Sequence, residues 1–113
     1  MDNVDKLLMS VEIGIGIIHD LVVRDTLKGI AEKQRELLKV DAAKRRDEAN
    51  VVIELIQAID IEKLKLEASI RRINKDFSME ENDILNVILR ELDTQRAKYL
   101  KEKYAISNVK TNR

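Results

Sequence analysis

The chain has no cysteine, no proline and no tryptophan, and only three glycines, one phenylalanine and two tyrosines in 113 residues. Without cysteine there is no disulfide framework, thiolate zinc site, iron–sulfur cluster or thiol nucleophile. Without proline, and with glycine confined to Gly14, Gly16 and Gly29, everything from Ile30 to Arg113 lacks both helix-breaking residues. Scarce aromatics remove much of the vocabulary of β-strands. No sign of charge prevails, since 21 basic side chains balance 21 acidic ones. That balance argues against a protein coating nucleic acid, which neutralises phosphates and is usually basic. Long apolar runs are missing too: the longest, Ile13 to Ile18, lies between Glu12 and His19, far below the roughly 20 residues that span a bilayer. The opening Met1-Asp2-Asn3, with Asp5 behind it, lacks the basic start and apolar run of a secretion signal, so a cytoplasmic location is expected.

What the chain does contain is helix material: 44% apolar and 37% charged residues, apolar enough for one core and one domain over residues 1–113. The expected class is all-α, an elongated helical hairpin or three-helix coiled-coil-like bundle. Val4, Leu8, Val11, Ile15, Ile18 and Val22 step by four and three, the spacing of one helix face, and predict a first helix over about residues 3–27. The stretch 11–17 also alternates with period two, which suits a strand, and glycine costs a helix about 1 kcal/mol relative to alanine. Helix is preferred because no other segment offers a partner strand; Gly14 and Gly16 would then admit another helix closely.

Gly29 marks an expected break. Beyond it, Leu38, Ala42, Ala49, Val52, Ile56, Ile59, Leu66, Ile70, Ile73 and Phe77 thread one nearly continuous stripe, interrupted by Arg45 and Lys63. An unbroken helix over 30–74 would be about 68 Å long at 1.5 Å per residue, whereas a compact chain of this length has a radius of gyration of about 13 Å. Either the helix breaks within 41–50, where alanine is the only apolar residue, or the molecule is elongated and a partner covers its stripe; the continuous helix is preferred. Ser78 followed by Glu81 forms a capping box and starts a last helix, over 79–105, carrying Ile84, Leu85, Ile88, Leu89, Leu92, Tyr99 and Leu100, with a frayed tail over 106–113. Charge alternates in sign along the chain in blocks, and the reversal between Arg46 and Asp47 is the best argument for two helices within 30–74.

The inventory for catalysis is thin. His19 is the single histidine, and the Glu-x-x-His spacing of bundle metal sites is missing around it. Carboxylates pair at Glu32 with Glu36, at Asp60 with Glu62, and at Glu80-Glu81 with Asp83. The Glu80 to Asp83 spacing is similar to the second half of the magnesium motif of helical nucleotide pyrophosphohydrolases; the first half is absent upstream, and acids in the first turn of a helix are favoured by its dipole alone. Three basic clusters could contact phosphates: Lys44, Arg45 and Arg46; Arg71, Arg72 and Lys75; and Arg96, Lys98, Lys101, Lys103, Lys110 and Arg113. Local partners compete for them, Asp41 for Arg45 and Glu67 for Arg71.

The expected function is therefore that of a non-enzymatic adaptor, assembly factor or regulator that needs no metal or cofactor, takes no small molecule, contacts no membrane and self-associates, as a dimer, through its apolar stripe. The residues carrying that face are Ile15, Ile18 and Val22 in the first helix; Leu38, Val52, Ile56, Ile59, Leu66, Ile70 and Ile73 in the middle; and Ile84, Ile88, Leu92 and Tyr99 in the last. A nucleic-acid-associated regulator using the basic clusters is the alternative, and a metal-dependent nucleotide hydrolase the second.

Overall fold

The computed structural model of the chain describes residues 3–43, 49–73 and 76–111. Among them lie four helices and no strand: α1 (Asn3–Ile17), α2 (Leu21–Ala43), α3 (Ala49–Ile73) and α4 (Met79–Thr111). The ambiguous stretch 11–17 is helical, because Val4, Leu7, Val11 and Ile18 form a buried face at steps of three, four and seven residues, with buried Gly14 filling the gap.

Four boundaries differ from the sequence expectation. The single helix expected over 3–27 is interrupted at 18–20, where Asp20 caps α2: its Oδ1 accepts the Val23 N–H at 2.9 Å and its carbonyl accepts the Arg24 N–H at 2.9 Å. Gly29, expected to break the chain, lies inside α2. The rod expected over 30–74 is not formed. Helices α2 and α3 pack side by side, so that a Cβ on Gly29 would lie 3.3 Å from Glu62 Oε2, whereas those residues would be about 50 Å apart in a continuous helix. Helix α2 reaches Ala43 and α3 begins at Ala49; Lys44, Arg45, Arg46, Asp47 and Glu48 lie outside the described residues. Helix α4 continues to Thr111, past the expected end at 105.

Cross-helix pairs give the directions. Along α1 and α4, Ser10 meets Glu91, Gly14 meets Ile88 and His19 meets Glu81, one number rising as the other falls. Asp60 with Arg96 and Lys63 with Asp93 show the same reversal between α3 and α4. Gly14 with Leu27 and Glu12 with Arg35 show it between α1 and α2. The result is an up-down-up-down bundle in which each helix packs antiparallel to its chain neighbour and α4 returns to α1. It measures 54 × 24 × 21 Å with a radius of gyration of 15.4 Å, more extended than a sphere of this chain length.

Leu7, Leu27, Ile30, Leu37, Leu66, Leu85 and Ile88 are among the fully buried side chains, each contributing roughly 1.5–3 kcal/mol by leaving water. Gly14 sits where three helices meet: a Cβ there would lie 3.1 Å from both Leu27 Cδ1 and Ile88 Cδ1. Gly16 faces open space, so only the first glycine of the pair admits its neighbours. Two glutamines share the interior, Gln34 on α2 and Gln95 on α4, and neither side-chain carbonyl has a hydrogen-bond partner among the described residues.

Candidate functional site

The end of the bundle holding the α1–α2 turn and the start of α4 is locked by one carboxylate. Glu81 Oε1 accepts the Ser78 N–H at 3.0 Å while the Glu81 N–H is donated to Ser78 Oγ at 3.1 Å, completing the expected capping box. The second oxygen, Oε2, accepts the His19 N–H at 3.2 Å and so ties the α1–α2 turn to α4. The Ser78 amide, the His19 amide and the Ser78 hydroxyl together hold the Glu81 carboxyl below the usual carboxylate range, against the opposing effect of burial. His19 enters through its backbone; its exposed residue is not drawn into a cluster of ligands.

Some of the other acids have structural partners. Glu12 pairs with Arg35, Asp60 with Arg96 and Glu62 with Lys65. Glu32, Glu36, Glu80 and Asp83 are exposed, and Glu81 between the last two is spent on its clamp. Among the described residues no three His, Asp or Glu side chains converge as a metal-binding group, and no helix is long and apolar enough to cross a membrane.

The seam between α3 and α4 is the thinnest of the four and is bridged by charge. Lys63 is held between Asp93 and Glu67, and Arg96 Nε donates to Asp60 Oδ2 at 3.0 Å. The hydrogen bond to Asp93 raises the Lys63 pKa above its ordinary value, with Asp93, Glu67 and Asp60 adding their charges against the effect of burial. Beside these pairs a cleft of about 210 Å³ is lined by Ile53, Ile56, Tyr99 and Leu100.

The apolar stripe expected to face a second copy is, with the exception of Val22, the interior of this chain. Ile18, Ile56, Ile59, Leu66, Ile88 and Leu92 are buried in the core, and Ile15, Leu38, Val52, Ile70, Ile73, Ile84 and Tyr99 are partly buried against it. Only Val22 is exposed, because the break at 18–20 rotates it off the face of α1 and Val23 takes the inward position. The reason is the fold-back of α2 on α3: helices expected to run end to end cover one another.

The large apolar side chains that do face outward are a different set. Leu21 is 70% exposed and Met79 80%, both at the clamped end, while Ile61 and Leu64 on the outer face of α3 are 56% and 65% exposed. They fall between the members of the core stripe, at positions one to three residues from buried ones, and their signal in the sequence was an apolar residue left over once the inward face was assigned.

Of the basic residues, Arg71 and Arg72 are exposed on the last turn of α3. Glu67 pairs with Lys63 instead of the expected Arg71. Arg96 is engaged by Asp60, and Lys98 lies 5.8 Å from the Tyr99 ring centre. Lys44, Arg45, Arg46 and Lys75 lie outside the described residues, as do the side chains of Lys103, Lys110 and Arg113. Comparisons of the chain with models of protein families, with curated proteins and with solved structures gave no match.

Proposed function

We propose that this protein is a non-catalytic helical interaction protein, an adaptor, assembly factor or regulator, whose contact surface is the set of apolar side chains its own core leaves outside. The observation that supports this reading is the exposure of Leu21, Met79, Ile61 and Leu64 on a bundle whose inward stripe is already covered. Isolated exposed apolar residues need no explanation, but pairs at helical spacing and at one end of the body are what contact surfaces offer. Glu81 serves as a cap and clamp, and Asp60, Lys63, Asp93 and Arg96 as inter-helix ties.

The test is site-specific photocrosslinking in the cell of origin, with the probe placed at Met79 or Leu64 and, as reference, at the charged outer position Glu36. Discrete protein adducts at an apolar position and none at the reference are expected. Equal, diffuse labelling at all three would remove the support for this reading. Salt-sensitive capture of a nucleic-acid duplex, lost when Arg71 and Arg72 are replaced by alanine, would favour the nucleic-acid alternative.

A further inference from the structure

The outer face of α3 carries a pattern that matches its own reverse. Glu54, Gln57, Ile61, Leu64, Ala68 and Arg71 follow one another at alternating steps of three and four, and all six are exposed. Such residues lie along one line of a helix. The line has a carboxylate at one end, a guanidinium at the other and two large apolar side chains in the middle. We infer that α3 pairs antiparallel with α3 of a second copy of this chain, about a two-fold axis passing between Ile61 and Leu64. That inference deepens the proposed function and rests on it, because it takes the outward apolar side chains to be a contact surface.

The two-fold fixes every partner at once. It sets Ile61 against Leu64 of the second copy, Gln57 against Ala68 and Glu54 against Arg71, each contact occurring twice. The large side chains meet at the centre, a small one faces the polar glutamine, and opposite charges close both ends. A parallel pairing would set Glu54 against Glu54 and Arg71 against Arg71, so repulsion selects the antiparallel arrangement. Of the charges flanking the line, exposed Arg72 adds to its basic end, and two others are tied within the chain. Lys65 is held by Glu62 and Asp60 by Arg96 within the same chain, so neither reaches the axis as an isolated charge. A single helix face makes a small interface beside the roughly 1,200 Å² of a standard stable complex, so the dimer should dissociate on dilution. The dimer would leave Leu21 and Met79 uncovered, since they lie at the end of the bundle.

Sedimentation of the purified full chain over a wide concentration range tests the pairing. A monomer–dimer equilibrium is expected. Glu54→Arg and Arg71→Glu each convert two attractive contacts into two repulsive ones and should weaken dimerisation about tenfold, while the double variant restores it to near the original constant. Both positions are exposed, so the circular dichroism of all three variants should match that of the parent. A monomer at every concentration, or a dimer indifferent to both single reversals, would overturn the pairing. The two readings fail separately: a strict monomer that still gives photocrosslinked adducts at Met79 loses the pairing and keeps the interaction role. A charge-sensitive dimer with no adducts of other proteins keeps the pairing and loses the role as an adaptor.

Discussion

The carboxylate of Glu81 accepts the backbone N–H of His19, 62 positions away in the chain, with the same side chain that caps α4. One residue thereby fixes both the start of a helix and its contact with the turn between two others. Because the folded environment lowers the Glu81 pKa, the clamp contributes stability that is fully present above the unfolded value, about 4.3, and is lost as pH falls through the lower folded value. Glu81→Gln should cost about 1–2 kcal/mol at neutral pH, as expected for hydrogen bonds to a charged acceptor. Urea unfolding at pH 7, 5, 4 and 3 should show the gap between parent and variant narrowing only below about pH 4. A gap independent of pH would mean that the charge of Glu81 contributes nothing to the clamp.

The two glycines of α1 should respond in opposite ways to enlargement. Gly16→Ala meets no neighbour and should stabilise the protein by about 0.5–1 kcal/mol through helix propensity and the unfolded state. Gly14→Val would drive two further methyl groups toward Leu27 and Ile88 and should destabilise it by about 1–3 kcal/mol. Thermal unfolding of the two variants decides the matter; equal shifts would show that α1 is not closely packed at Gly14.

Gln34 is fully buried with both side-chain polar atoms unpartnered among the described residues. Replacing it with methionine, of similar size and without those polar atoms, should raise the unfolding free energy by about 1–2 kcal/mol. A loss of stability in urea titration would show that the amide is satisfied in solution and contributes to the fold.

Across the α3–α4 seam, Lys63 has a raised pKa because of Asp93. A raised cationic pKa contributes stability that is complete below the unfolded value, about 10.4, and disappears as pH climbs through the folded one. Asp93→Asn should lower stability by about 0.5 kcal/mol at neutral pH and low salt, the usual worth of a partly exposed pair. The difference should shrink in 1 M sodium chloride, where screening is short-ranged; a difference that survives high salt would assign the effect to packing.

The helical class, the capping box at Ser78 and Glu81 and the stripes of α3 and α4 were legible because spacing alone decides them. The position of the break at 18–20 was not, although its signal was present: Asp20 is a good cap, but the apolar steps through Ile18 to Val22 happened to continue across it. The inward face of α2, formed by Val23, Leu27, Ile30 and Leu37, was hidden for a related reason, since Gln34 interrupts it and Leu38 next door offered a smoother thread into α3. Periodicity reports which residues share a face, and says nothing of what covers that face. The stripe assigned to a second copy met its cover within the same chain, and the outward residues, Ile61 and Leu64 among them, emerged only once the inward ones were subtracted.

The four helices are of very unequal length: α1 has 15 residues and α4 has 33, about 22 Å against about 50 Å. Since α1 ends its contact with α4 well before α4 itself ends, cohesion is graded from one pole of the molecule to the other. The pole with the glutamate clamp has four helices and two backbone amides tied to one carboxylate, whereas the opposite pole lies beyond the reach of α1. Amide hydrogen exchange should therefore advance along α4 from its C-terminal turns, releasing that segment as a separate opening unit while the clamped pole stays closed.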